Sequence, residues 1–480
     1  MPHPPTPSST PTLKRAIGFW GGIAVMIGVI IGSGIFRQPP RIAAEFASPW
    51  FILALWAGGG LLCLAGAFTY AELAAMHPAS GGVYVFIREG FGDCVAFVFG
   101  WAYLVLVKPF AAGGIAFLFG EHINKLFGVQ WDVRISTTVM LLSLTLINVR
   151  GVRLSTGVAG VLTLLKFGAL VAIVLLVVLL GKTDASKLAA APVPDSPDLI
   201  RSIVIAMAGI LWTYDGWADV GSIAGEVKDP QRSLPQIYIF GTLAVIGIYL
   251  AVNAAYFMLV PLQEMRAQRA ANADFSVAPL VMERLVGRSG EIAVILIILC
   301  STLGSSHASI MTGARVSYAQ ARDGLLFRFI GRVHPEWNTP DAALISQVLL
   351  SIVAVWFLGS FQALADSFVF TMWIFYALGG AAIFILRYKQ PNVPRPFRCP
   401  GYPIVPALFV LSAIAMTILS IRGDDAPSTF GLFPFLGKHP YMNTLPWLAV
   451  LLAGVPIYYI WRGMFPFSRN ENNSANSSRG

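Results

Sequence analysis

Of 480 residues, 56% are hydrophobic and only 12% charged, and the mean hydropathy is +0.70. A soluble domain carries about twice that charged share, so composition excludes an ordinary soluble protein and predicts a polytopic membrane one. The net charge of +9 does not point to nucleic acid. The Lys and Arg fall mostly in short loops between apolar runs, where they set topology, and no basic surface with interleaved aromatics accompanies them.

The stretch Met1 to Arg15 is rich in Pro, Ser and Thr and lacks a cleavable-signal pattern, so the first apolar run is retained as a spanning helix. Runs long enough to cross the hydrocarbon layer lie at about Ile17–Ala47, Trp50–Met76, Cys94–Phe119, Val133–Val149, Thr156–Gly181 and Ile203–Ala224. Six more lie at about Ile237–Val260, Ile292–Ala319, Ala342–Leu358, Phe368–Leu386, Val405–Ile421 and Leu445–Ile460. The chain thus reads as all-α with about twelve transmembrane helices. Its expected parts are a cytoplasmic tail (1–16), helices 1–5 (17–202), helices 6–10 (203–388), helices 11–12 (389–463) and a disordered Asn/Ser-rich cytoplasmic tail (464–480). The four cysteines, Cys63, Cys94, Cys300 and Cys399, form no CxxC pair or His/Cys cluster. No zinc site, metal, cofactor or disulfide framework is expected.

Loop charge orients the spans. Lys14/Arg15, Arg150/Arg153, Arg322/Arg328/Arg332, Arg387/Lys389/Arg395/Arg398 and Arg462/Arg469 share one side, whereas Lys182, Asp184, Lys187, Asp195 and Asp198 mix signs on the other. The positive-inside rule places both termini in the cytoplasm of a multi-pass cell (inner) membrane protein. The long loop Gln263–Arg288, carrying Glu264, Asp274 and Glu283 beside its arginines, then lies outside.

The first and sixth spans are interrupted. Gly32-Ser33-Gly34 lies within the first, followed by Arg37, Pro39 and Pro40; Trp212-Thr213-Tyr214-Asp215-Gly216-Trp217 lies within the sixth. Glycine weakens a helix and proline breaks it, and irregular backbone at membrane depth is tolerated only where protein buries it or it lines a cavity. Breaks at the first helix of each half point to a transporter built on five-helix repeats, the second copy inverted.

At the first break, freed N–H groups and a half-helix dipole suit a carboxylate, with the Ser33 hydroxyl as a further donor; the competing role is a close-packed Gly-x-Gly contact. At the sixth, carbonyls of residues such as Trp212 and Asp215 suit an ammonium, so a zwitterion is held mostly by backbone. Trp212 and Tyr214 could wall the side-chain pocket, Trp212 lying about ten residues into its run and so too deep for an interfacial belt. The Asp215 side chain has three possible roles: capping the broken backbone, attracting a cationic substrate, or titrating.

Lys166 lies deep in an otherwise uncharged span, where a charge costs at least about 2.5 kcal/mol. Either it snorkels toward an interface roughly 15 Å away, or its ammonium takes the place of a metal cation against freed carbonyls of the first span, and could accept a proton. The eighth span carries Ser301, Thr302, Ser305, Ser306 and His307. A membrane histidine more often donates one bond to a neighbour than shuttles protons. Lys108, beside Pro109, is read as structural, with tuning of the site as the alternative for both Lys108 and His307. No P-loop, metal-binding His motif or Gly-x-Ser-x-Gly occurs, so neither an enzyme nor an ATP-driven pump is expected. A channel or sensor finds no repeated pore lining and no output domain.

Five stretches resemble the amino acid–polyamine–organocation superfamily, most closely its L-type amino acid transporter branch. They are Ile30-Ile31-Gly32-Ser33-Gly34-Ile35-Phe36; Tyr214-Asp215-Gly216-Trp217 with Gly225-Glu226-Val227-Lys228-Asp229-Pro230; Gly313-Ala314-Arg315-Val316; Ala321-Arg322-Asp323-Gly324; and Arg395-Pro396-Phe397-Arg398-Cys399-Pro400-Gly401-Tyr402-Pro403. The resemblance implies a LeuT-like fold of two inverted five-helix repeats plus two helices, with helices 1 and 6 unwound. It implies a substrate carboxylate at Gly32, Ser33 and Gly34, an α-amino group at the carbonyls of Ile30, Trp212 and Asp215, and Trp212 as gate. Lys166 matches the fifth-helix lysine of sodium-independent members. His307 stands where related sequences often carry Asn, and Arg37 and Arg41 add unusual positive charge beyond the first break. The loop Glu121 to Asp132 lacks the cysteine that joins animal light chains to a heavy chain, so a bacterial member without that partner is expected. The function implied is sodium-independent exchange of small or medium neutral L-amino acids by alternating access, in contact with membrane lipid; the alternative is proton-coupled symport, with cationic amino acids possible substrates.

Overall fold

The computed structural model describes residues 15–181, 199–272, 275–422 and 445–464. Lys14, Lys182, Asp184, Lys187, Asp195, Asp198, Asp274, Arg469 and most of both expected tails lie outside the described residues. Within them the backbone is helical almost throughout, and the only strand-like pairing is an isolated bridge between Ile17 and Val227.

The first apolar run forms two helices, α1 (Phe19–Ile30) and α2 (Gly34–Glu45), bent by 42° across a three-residue break. Next come α3 (Pro49–Met76), the short α4 (Val83–Phe91) and α5 (Asp93–Ala102), which runs through a π-helical turn (Tyr103–Val107) into α6 (Lys108–Phe127). Then follow α7 (Val133–Val149), α8 (Val152–Leu180) and α9 (Leu199–Tyr214), the last continued by a 3₁₀ stretch, Trp217–Glu226. The second half holds α10 (Pro230–Leu259), α11 (Leu262–Ala271), α12 (Val277–Val286), α13 (Arg288–Arg322), α14 (Asp341–Leu358), α15 (Phe361–Lys389), α16 (Ile404–Arg422) and α17 (Leu445–Met464).

Nine helical spans among the described residues are long and apolar enough to cross a bilayer, ten with the bent α1–α2 pair. Val133–Val149 and Ile404–Leu419 are apolar but shorter, and the expected twelve is reached only by counting both. Many of the helices outrun the apolar runs that predict them. Arg288 and Arg322, for example, end α13, because helical hydrogen bonding continues into the headgroup region where hydropathy has already fallen. The amphipathic helices α4, α11 and α12, nine or ten residues long, are too short to register as spanning runs.

α3 lies along α10; α6 packs on α7, α13 and α14; α1 is held between α8 and α10; and α2 packs on α9 and α11. Between them an aromatic core of Tyr70, Trp217, Tyr376, Trp373 and Phe409 is locked edge-to-face or tilted, with neighbouring ring centroids 5.0–6.3 Å apart. Leu164 and Leu179 of α8 are exposed, as a lipid-facing surface requires.

The two ends of the bundle are tied differently. At one, the Ala16 and Ile17 amides donate to the Glu226 carbonyl at 2.9 Å, Lys228 N–H donates to the Ile17 carbonyl at 2.8 Å, and Arg88 of α4 pairs with Asp323 at 2.8 Å. At the other, Arg37 of α2 pairs with Glu121 of α6 at 2.5 Å, Arg41 with Asp366 of α15 at 3.2 Å, and Arg266 Nε donates to the Ala43 carbonyl at 2.7 Å.

Candidate functional site

The two interruptions face one another. Gly216 takes φ +113°, and a side chain there would meet the Ile30 nitrogen at 3.1 Å. A Cβ on Gly34 would lie 2.4 Å from Thr213 Oγ1 and 2.8 Å from Thr213 Cα. Only glycine allows the start of α2 and the end of α9 to approach this closely. Beyond Gly216 the chain is wound as ten residues of 3₁₀ helix, far longer than the usual three or four, a form common at hinges.

A cavity of about 30 Å³ opens between the breaks. Val29, Ile30, Gly32, Ser33 and Gly34 line it from the first break, Trp212, Asp215 and Asp219 from the second, and Lys108, Ser309 and Phe368 from α6, α13 and α15. That volume holds one or two waters, so an amino acid needs the surrounding helices to part. α2 begins at Gly34, and the amides of a first helical turn have no acceptor in their own helix. Ser33 Oγ is buried and has no hydrogen-bond partner among the described residues. The cavity wall thus presents free donors.

The carbonyls on the far side of the break are occupied. The Lys166 ammonium is buried and donates to the carbonyls of Gly28 at 2.5 Å and Ile31 at 2.6 Å, and to Ser305 Oγ at 3.0 Å. Ser305 Oγ donates to the Ile31 carbonyl at 2.7 Å, and Ser301 Oγ lies 3.2 Å from the same oxygen. Lys166 therefore does not snorkel; it sits behind the break, joins α8 to α1 and α13, and is not in the cavity lining.

The remaining sequence-predicted residues separate. Ile30 lies in the lining, and its carbonyl accepts from Tyr249 OH at 3.1 Å, as does the Thr213 carbonyl. The Trp212 carbonyl accepts from the Asp215 amide at 3.2 Å, and Asp215 Oδ1 accepts from Tyr376 OH at 2.6 Å. The Trp212 ring packs edge-to-face on Phe361 and Phe368, with centroids 5.8 and 5.2 Å away, and the Arg37 guanidinium lies 5.2 Å from the Phe361 ring centre. Tyr214 lies elsewhere: its ring packs on Trp56 and Tyr249, at 5.8 and 5.1 Å, outside the cavity lining. Asn148 Nδ2 lies 3.0 Å from His307 Nδ1, also away from the cavity.

Lys108, read from sequence as structural, stands in the cavity wall and forms a buried ion pair with Asp219. The π-helical turn before it and Pro109 after it share one cause. Proline lacks an N–H, and its ring crowds the carbonyl four residues back, so the helix widens there, as it often does at functional sites. Sequence reasoning missed Asp219. It lies three residues past Gly216 of the sixth-span motif, and an acid at membrane depth was itself the available signal.

Comparison with known proteins adds identity to this geometry. The chain matches the amino acid permease family model over residues 17–437. It is 29% identical to the human cystine/glutamate transporter over 94% of this chain and 85% of that protein. It is 29% identical to the serine/threonine exchanger SteT of Bacillus subtilis, over 93% and 97% of the two chains. The b(0,+)-type amino acid transporter 1 of Rattus norvegicus is 28% identical over 88% and 85%. The chain is therefore a multi-pass membrane transporter of the amino acid permease family, and not an enzyme.

Proposed function

We propose that the protein exchanges small or medium neutral L-amino acids across the cytoplasmic membrane, without sodium, by alternating access. One observation carries the reading: both helix interruptions meet at a single cavity while the Lys166 ammonium fills the carbonyl cluster behind the first of them. The substrate carboxylate meets Ser33 Oγ and the amides of Gly32 to Gly34, which lie at the positive end of α2. The α-amino group meets the carbonyls of Asp215 and of Ile30 and Trp212, the latter two retaining a lone pair beside their present donors. Trp212 closes over the bound molecule. Because Lys166 already supplies a positive charge to the Gly28 and Ile31 carbonyls, a sodium ion has no role there. The exchange activity named for the Bacillus relative agrees with this mode. Two inverted repeats, 17–202 and 203–388, supply the two interrupted helices, and both termini lie in the cytoplasm.

The test is uptake of labelled amino acids into proteoliposomes holding the purified protein, with and without internal amino acid, sodium and a pH gradient. Uptake that requires internal amino acid and ignores both gradients is expected. Loss of uptake without sodium would overturn the sodium-independent part. Accumulation driven by a pH gradient into empty vesicles would establish proton symport instead.

A further inference from the structure

The cavity wall also holds a charge pair that no part of the exchange mechanism requires. Lys108 Nζ and an Asp219 oxygen form an ion pair, with side chains only 5% and 7% exposed, and both residues line the cavity. Thr312 Oγ1 donates to Asp219 Oδ2 at 2.9 Å, and Tyr103 OH reaches Oδ1 at 3.4 Å. Lys108 Nζ has a further contact at the limit of hydrogen bonding, 3.5 Å from Ser309 Oγ, and stands 5.5 Å from the centre of the Tyr103 ring. The carboxylate is thus served by three donors from three elements.

Isolated charges are expensive at membrane depth, and a buried ion pair is a poor means of stabilising a fold, because apolar residues of equal volume do as well or better. A pair retained in a cavity wall therefore calls for a role in the cavity. We propose that Lys108 and Asp219 set the charge selectivity of the transporter: by cancelling each other they present a neutral polar surface to the substrate side chain. Resting on the amino acid exchange reading, this names the substrate class as small side chains that are uncharged and can accept a hydrogen bond. An acidic side chain is repelled by Asp219 and a basic one by Lys108, and the pair offers neither of them an unpaired counter-charge. Removing one partner exposes the other. Asp219→Asn leaves a cation that admits acidic amino acids, and Lys108→Gln leaves an anion that admits basic ones.

The experiment is counterflow in proteoliposomes with labelled L-serine, L-glutamate and L-lysine, for the wild type, the two single variants and the pairwise Lys108→Gln/Asp219→Asn variant. The expected result is a rise in the glutamate-to-serine ratio for Asp219→Asn and in the lysine-to-serine ratio for Lys108→Gln. Each rise is about tenfold to a hundredfold, the worth of one charge-assisted hydrogen bond. The paired variant should restore the preference for serine. Both ratios unchanged, with serine transport still present, would overturn the proposal and leave the exchange reading standing. No transport of any of the three by the wild type would instead overturn the reading beneath it. Should the single variants not fold, thermal stabilisation of the wild type decides: serine is expected to raise its melting temperature and glutamate and lysine are not, and equal stabilisation by either charged substrate refutes the proposal.

Discussion

Replacing Lys166 with methionine keeps most of the side-chain volume and removes the ammonium, separating charge from packing. The wild-type group gives charge-assisted bonds to the carbonyls of Gly28 and Ile31 at 2.5 and 2.6 Å, each worth about 1.5–3 kcal/mol. The Ile31 carbonyl retains Ser305 and Ser301, whereas that of Gly28 loses its ammonium partner. Relief of the lysine's own desolvation offsets part of the loss. The net cost to the interrupted conformation of α1–α2 is about 2–4 kcal/mol, a roughly 30- to 1,000-fold shift in its population. Turnover in proteoliposomes is therefore expected to fall by at least about tenfold, with a lower melting temperature in detergent. A Lys166→Met variant that exchanges amino acids at the wild-type rate would refute the claim that this ammonium holds the break open.

Gly34→Ala drives a Cβ to 2.8 Å from Thr213 Cα, a backbone clash that side-chain rotation cannot relieve; about 1–3 kcal/mol of destabilisation and loss of transport are expected, and a normal melting temperature would contradict it. Ser33→Ala removes a hydroxyl that bonds nothing among the described residues, so melting should change by less than about 0.5 kcal/mol equivalent while substrate affinity drops about tenfold. Equal affinity by titration would place the substrate elsewhere. Trp212→Ala takes away the ring packed on Phe361 and Phe368 and should let substrate leak from loaded vesicles into amino-acid-free buffer. Efflux that still demands external amino acid would show that Trp212 is not the gate.

The spans and the positions of the two interruptions were legible because both are one-dimensional signals: apolar length, and glycine or charge inside it. Lys166 was legible for the same reason, since a single charge in a long apolar run must find a partner. What the sequence does not encode is azimuth. When every face of a helix is apolar, no periodic stripe says which side chain points inward. Hence Trp212 turns toward the cavity and Tyr214, two residues on, packs on Trp56 and Tyr249 instead. Lys108 and Asp219 are 111 residues apart, and their pairing depends on a π-helical turn and a 3₁₀ stretch that shift both residues off the regular helical register. Neither distortion has a spacing rule from which to read it.

The ties at the two ends of the bundle differ in burial, and that difference bears on the order of opening. Beyond Trp212, α2 is held by Arg37–Glu121, with side chains 6% and 17% exposed, and by Arg41–Asp366, in which the Asp366 side chain is 46% exposed. Exposed pairs of the latter kind are worth under about 1 kcal/mol. Toward the other end, Arg88–Asp323 is 33% and 32% exposed, but Glu226 at the close of the 3₁₀ stretch pairs with Arg315 of α13, their side chains only 1% and 2% exposed. Parting two such buried charges costs about 3–5 kcal/mol unless water enters with the opening. The unloaded transporter should therefore open more readily at the α2 end, and a cysteine replacing Ala111 in the cavity wall, in a background without other cysteines, should react faster with a membrane-impermeant thiol reagent from that side. Replacing Glu226 and Arg315 together by glutamine and methionine removes the buried charges as a pair and should narrow the ratio of the two labelling rates. Arg41→Ala should change it little. A ratio that is unmoved by the paired replacement but collapses with Arg41→Ala would reverse the assignment of which end resists opening.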